Sequence, residues 1–427
     1  PNFDKLADEV CNLEYLRARF DTPAIYYRFE KIELPCFEDA KLYAPLIKAG
    51  MCEEFAPVHL KMKKGGDIAL ILSGIFSTLR MFVQHKTDDG AGPAKFLFSG
   101  DTFYTTPTKD TELQSRTEWT VVLVDEGPVT EAEIIQILWK AFEEMKFEQQ
   151  TIEFRIHATG CSICRATFRS TFGLYLRGRA SKLCKSCKQG TKLQPTGVLR
   201  CKEEKCGTVA ANAPQMLDFL CESCKKHFKG VLEFLDESRI PYILDGTLFR
   251  EGSWYSNVVF EFRYKPAKSQ DQESTDDTTV LLAEGGRVSR AAKLVFGKRI
   301  EAVTGSVFLR SVASALRTLE KRDTGQVAQK DAVFLIQLGE LAKRKSLSML
   351  EVLRAHEIAV HESLGRDSIR VQIKAAERIG VQIALVLGQK EALDETVIIR
   401  EISSGIQETV PQSKLIDFLK KKYIHEV

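Results

Sequence analysis

Eight of the eleven cysteines lie between Cys161 and Cys224, in four pairs: Cys161 and Cys164, Cys184 and Cys187, Cys201 and Cys206, Cys221 and Cys224. A two-residue spacer lets two thiolates turn toward one point about 2.3 Å from a zinc ion, and two such knuckles complete a tetrahedron. Eight thiolates therefore suit two zinc sites of four cysteines each. Four knuckles combine in three ways, of which sequential pairing, first with second and third with fourth, closes the shortest loops. Such sites are structural, because four sulfur ligands leave no position open for water. The plainer alternative is a set of reduced structural cysteines, or one zinc with spares. On that view the lysines nearby (Lys182, Lys185, Lys188, Lys225, Lys226) form a solvated face and His227 is a surface histidine.

The elements that must position these cysteines belong to an ordinary globular chain. Hydrophobic residues make up 44% of the 427 residues and charged residues 28%, which excludes a wholly disordered, collagen-like or membrane-embedded protein. The formal net charge is only +3, so a nucleic acid would have to be met by a local basic face. No run reaches the roughly 18 apolar residues of a membrane span, and Pro1 to Lys5 lacks the layout of a signal peptide. The expectation is a cytoplasmic protein with reduced cysteines and no membrane partner.

Along the chain, Ile68 to Leu72 and Thr120 to Val124 have strand length, and Glu131 to Met145 repeats apolar residues at helical spacing after Thr130, a candidate cap. A helical stretch from Met216 to Asp236 overlaps the last cysteines. Tyr242 to Tyr264 reads as strand, turn, strand. Lys265 to Thr279 is polar throughout and reads as a mobile connection, and Lys321 to Lys330 is the best linker. From Asp331 the pattern alternates: strand 332–338, helix 341–356, strand 358–361, helix 368–379, strands 383–387 and 397–401, helix 412–422. That order implies a small α/β domain with a largely parallel sheet.

The stretch Thr247 to Arg263 (TLFREGSWYSNVVFEFR) resembles the histidine-binding signature of histidyl-tRNA synthetases, Leu-Val-Arg-Gly-Leu-Asp-Tyr-Tyr followed by a strand ending Val-Phe-Glu. Ala283-Glu-Gly-Gly-Arg287 resembles the second signature, Gly-Gly-Arg-Tyr-Asp. Residues 184 to 242, with Asn212-Ala-Pro and His227-Phe, look like the insertion of a cysteine-rich branch of that family. Gly388-Gln-Lys-Glu391, Val397-Ile-Ile-Arg400 and Gly405-Ile-Gln407 are similar to its anticodon-binding domain. The resemblance implies an α+β fold: a class II synthetase-like antiparallel-sheet core (1–160 and 239–320) with a cysteine-rich zinc insertion (161–238), a linker (321–330) and an α/β anticodon-binding-like domain (331–427). It also implies a homodimer through the N-terminal half, burying residues around Tyr26 to Leu34.

Departures fall where the chemistry would be. Activating an amino acid with ATP requires cations to hold the phosphates. Where the family has Phe-Arg-x-Glu, this chain has Phe103-Tyr-Thr-Thr106, and tyrosine supplies no guanidinium fork. A later family arginine falls at Thr111 or Glu112. The Leu-Arg-Pro-Glu segment corresponds to Leu70-Ile-Leu-Ser73. Arg250 remains, but Glu251 follows it and Ser253 takes the aspartate's place. Arg287 remains, followed by Val288-Ser289. The arginine of the last class II motif is lost at Phe308-Leu-Arg-Ser311 or displaced to Arg310.

Remnant site candidates are therefore Arg250, Glu261, Arg287 and Arg310. The arginines face either a ligand cavity or a solvated surface. Alternation sets Glu261 opposite Phe260 and Phe262, facing the cleft or solvent. The expected function is a catalytically inactive synthetase paralogue acting as an RNA- or protein-binding or regulatory module. The alternative is an active, divergent histidine-tRNA ligase using ATP and Mg. A regulatory subunit like that of ATP phosphoribosyltransferase is disfavoured by residues 331–427. Candidate RNA contacts are Arg366, Arg370, Arg400 and Gln407, with basic neighbours such as Lys343, Lys374 and the Lys420 to Lys422 run, which any solvated helix could also show.

Overall fold

The computed structural model describes residues 7–52, 55–63, 65–85, 93–106, 112–145, 147, 151–191, 194–265, 279–320, 333–356, 358–362 and 368–422. The chain divides into two units, Pro1–Glu320 and Lys321–Val427. The expected linker at 321–330, and all but the ends of the polar segment 265–279, lie outside the described residues.

The first unit is built on an eight-stranded sheet. From edge to edge its strands are Glu30–Ile32, Ala94–Thr105, Leu113–Val124, Ala302–Phe308, Val280–Arg287, Ser256–Tyr264, Ile152–Gly160 and Ile243–Leu244. The six inner strands run antiparallel to their neighbours, while the two short edge strands pair in parallel. Alternation gives this sheet two chemically different faces. Trp119, Val121, Phe260, Phe262 and Val307 point into the main core, where they meet Ile134, Ile135 and Leu138 of helix Val129–Glu144. Leu13, Leu16 and Phe20 of helix Ala7–Tyr26 complete that core. The other face carries Arg116, Glu118, Thr120, Glu261, Glu284 and Ser306, and it builds the cleft.

The Gly-Gly of the second signature has a steric reason. A Cβ on Gly285 would meet the Phe260 ring and the Thr304 carbonyl oxygen at 2.3 Å. Gly286, at φ +155°, lies against the Val258 carbonyl oxygen.

Two local expectations are corrected. Thr130 does not cap its helix, which begins after Pro128; its hydroxyl is instead bonded to the Gly127 carbonyl and the buried Glu131 carboxylate. The helix expected over 216–236 is broken into a 3-10 turn, Met216–Phe219, and helix Glu222–Glu237, because Cys221 takes the extended N-cap conformation. The cysteine-rich segment also shares the main core: Phe168, Phe172, Phe228 and Val231 are buried in the same cluster as the sheet.

In the second unit the sheet is mixed rather than largely parallel. Val360–Glu362, Val333–Gln337 and Ile383–Leu387 pair in parallel, and Thr396–Glu401 and Gln407–Pro411 add antiparallel to one side. Helix Gln389–Asp394 and strand Gln407–Pro411 were not anticipated, because a six-residue helix and an exposed, polar strand give little periodicity.

Candidate functional site

The eight cysteines converge as two sets of four, Cys161, Cys164, Cys221, Cys224 and Cys184, Cys187, Cys201, Cys206, with all four sulfurs of each set within 4.8 Å of one another. The pairing is nested, first with fourth and second with third. Sequential pairing is therefore corrected. The reason lies in the fold: the ends of the segment return to the same strand, so the knuckle at the start of helix Ser162–Arg177 meets the one at the start of Glu222–Glu237. Cys161, Cys184 and Cys221 each stand at a helix N-cap, where the helix dipole favours a thiolate. Main-chain N–H groups also donate to sulfur, Cys221 to Cys164 Sγ and Cys184 to Cys206 Sγ, each at 3.2 Å. Sulfurs bound to a tetrahedral zinc stand about 3.8 Å apart; Cys161 and Cys164 are separated by 3.5 Å and Cys184 and Cys201 by 3.9 Å. Either set fits a structural zinc ion.

The cleft lies over the polar face of the sheet. A hollow there is lined by Phe55, Arg200, Arg250, Trp254, Tyr255, Glu261 and Glu284 among others. Beneath it a smaller space reaches Ser73, Arg116, Glu118 and Phe308. Arg250 and Glu261 are brought together here, Nη2 to Oε1 at 3.1 Å, and Arg263 holds the second oxygen of Glu261 at 2.7 Å. Glu261 is 2% exposed, so it faces the cleft rather than solvent.

Two further buried carboxylates share that floor. Burial pushes both Glu118 and Glu284 up from the ordinary carboxylate range, with Arg116 opposing the shift at Glu118 and Arg250 at Glu284. Arg116 lies inside a cage of three rings, its guanidinium carbon 4.7 Å from the centre of Phe55, 4.9 Å from Tyr104 and 4.4 Å from Phe308. Arg116, Glu118 and Glu284 were missed by sequence reasoning, although the alternation of Arg116, Glu118 and Thr120 with Thr117, Trp119 and Val121 was a readable signal.

Arg287 and Arg310 lie elsewhere. Arg287 stands three positions after Glu284 and so emerges on the opposite face of the sheet. It is 3% exposed and bonds to Glu131 at 2.8 and 2.9 Å, to Glu301 at 3.1 Å, and to Thr130 and Gly127. Burial works to raise Glu131, but hydrogen bonds and charge from His227 and from Arg287 hold it below the usual carboxylate range. His227 is thus no simple surface residue, for its Nε2 lies 2.9 Å from Glu131. Arg310 pairs with Glu9 at 2.9 Å on helix Leu309–Glu320. Of the four remnant candidates, only Arg250 and Glu261 form one site.

In the second unit, Arg400 and Gln407 are register partners on adjacent strands, and Arg370 is exposed at the start of helix Ile369–Ile379. Arg366 lies outside the described residues. Among the described residues no helix is long and apolar enough to cross a membrane.

Residues 332–422 match the family model of the anticodon binding domain. Over its length the chain matches the S. aureus histidyl-tRNA synthetase crystal structure with a TM-score of 0.73, covering 98% of both chains at 20% identity. The fold is that of a histidyl-tRNA synthetase. In sequence, the histidine–tRNA ligase of Halothermothrix orenii is 29% identical over 402 residues, 92% of each chain. That of Caldicellulosiruptor bescii is 26% identical over 427 residues, 98% of this chain and 97% of the relative. The histidyl-tRNA synthetase-like architecture thus covers both the sheet that carries the cleft and the anticodon-type domain.

Proposed function

We propose that this chain is a histidyl-tRNA synthetase-like protein that binds tRNA through its C-terminal unit and does not form an aminoacyl adenylate in its cleft. The anticodon-domain match at 332–422 supports the RNA half of this reading, with Arg370, Arg400 and Gln407 as contacts. The observation that carries the other half is the Arg116 cage. A triphosphate needs guanidinium groups turned toward it. Here Tyr104 stands in the arginine's place and, with Phe55 and Phe308, encloses the nearby Arg116, while three carboxylates line the floor.

The second reading is an active histidine–tRNA ligase using ATP and Mg, and it is the one that the names of the near-full-length relatives favour. Inactivity draws no support from those names and rests on this cleft alone. Arg250, held beside Glu261, is the residue on which ligase activity would turn.

The two cysteine sets are read as structural zinc sites, the protein as cytoplasmic, and the assembly as a homodimer. Tyr15, Ile25 and Tyr26, at 50, 53 and 80% exposure, supply an apolar surface for the dimer, whereas Phe29 belongs to the chain's own core.

Histidine-dependent exchange of pyrophosphate into ATP, with tRNA binding measured on the same preparation, tests the proposal. The expected result is tRNA binding with exchange at background. Exchange that is abolished by Arg250→Ala would establish the ligase.

A further inference from the structure

Beside the cleft lies a second, polar hollow, lined by Ala49, Gly50, Arg165, Arg169, Glu251 and Arg290 among others. Three arginines face one carboxylate there. The Glu251 carboxylate is already engaged: Oε1 accepts from the Thr196 N–H at 3.2 Å and its hydroxyl at 3.0 Å, and Oε2 pairs with Arg169 at 2.8 Å. Arg165, only 8% exposed, donates from Nη2 to the main-chain oxygens of Arg250 and Glu251 at 2.8 and 3.0 Å. Arg290 donates from Nη2 to the Ser253 oxygen at 2.7 Å. Carbonyls carry no net charge, so neither guanidinium is neutralised by them. Arg165 Nη1 and Arg290 Nε are buried with no hydrogen-bond partner at all.

Two neighbouring guanidinium charges with unmet donors form an arrangement that costs free energy until an acceptor of opposite charge arrives. The acceptor that matches is a tetrahedral oxyanion, whose several oxygens meet guanidinium forks and whose double charge answers two cations. We propose that this pocket binds a phosphate-class oxyanion between Arg165 and Arg290. The pocket wall is fixed by main chain, because a Cβ on Gly252 would lie 2.5 Å from the Gly50 oxygen. Arg165 and Arg290 also grip the carbonyls of residues 250, 251 and 253, so the bound anion stiffens the loop that carries Arg250 into the cleft. The site stands whether or not the cleft is catalytic.

Titration calorimetry on the full chain, at constant ionic strength, tests this with inorganic phosphate and with AMP. One anion per chain is expected. Arg290→Gln should weaken binding about tenfold or more. Arg169→Gln, whose side chain is 53% exposed and so can be changed without risk to the core, should weaken it about threefold. Lys293→Gln, in a neighbouring hollow, should leave it unchanged. The tighter of the two titrants shows whether the occupant is free or nucleoside-borne phosphate. Absence of binding by both, or equal binding by the wild type, Arg290→Gln and Arg169→Gln, overturns the proposal.

Discussion

Glu261 and Glu284 are directly opposed on neighbouring antiparallel strands, both buried, on the floor of the cleft. Like charges so placed destabilise a sheet unless their environments differ. Glu261 is clamped by Arg250 and Arg263, whereas Glu284 is pushed up by burial and by Glu261 itself, and its bonded neighbour is the Tyr255 hydroxyl at 3.4 Å.

A raised carboxyl makes a definite pH prediction. The folded protein holds the Glu284 proton more tightly than the unfolded chain does, so the stability this provides is fully present below about pH 4.5 and is lost as pH rises through the folded value. Glu284→Gln keeps the neutral form at every pH. Its urea midpoint should therefore gain on that of the wild type as pH is raised from the ordinary carboxylate range through the folded value. A constant difference across that range would show that Glu284 does not titrate there.

His157 gives the opposite slope. Its ring is 2% exposed, both ring nitrogens lack partners, and burial lowers it to about 4, against a smaller upward pull from Asp245. The folded state then binds fewer protons than the unfolded one between pH 4 and 6.5. Stability should fall by about 3 kcal/mol as pH drops through that window, beyond the fall shown by His157→Leu. Parallel pH profiles for wild type and variant would count against it.

Removing the Arg287 guanidinium should act on stability rather than on ligands. Arg287→Met leaves Glu131, fully buried, with His227 and Thr130 alone. Breaking a buried pair in this way typically costs about 3–5 kcal/mol, readable as a lower urea midpoint at unchanged slope. A variant of normal stability with altered affinity for a cleft ligand would return Arg287 to the cleft.

Nested pairing predicts how zinc is lost. Cys164→Ser and Cys221→Ser should each remove the same zinc equivalent, so that the double variant still holds one ion, whereas Cys164→Ser with Cys184→Ser should hold none. Metal analysis by mass spectrometry distinguishes this from sequential pairing, under which Cys164→Ser with Cys184→Ser would retain one. Because metal ligation supplies folding energy to this segment, each loss should also lower the melting temperature.

Local chemistry was legible in the sequence. The short spacing within each pair, two residues in three of them and four between Cys201 and Cys206, identified all eight converging cysteines. Strand alternation placed Glu261 opposite Phe260 and Phe262. What joins distant segments was decided only by the tertiary structure. Which knuckles share a site depends on where strand Ile152–Gly160 and helix Glu222–Glu237 meet. Arg287 was sent away from the cleft by its parity with Glu284 on strand Val280–Arg287, whereas Arg250 reaches the cleft from the loop before strand Ser256–Tyr264. The Arg116 cage draws on residues 55, 104, 116 and 308, and the Arg165 and Arg290 pocket on two helices 125 positions apart. No short-range pattern encodes such contacts, because their geometry follows from strand order and packing rather than from spacing along the chain.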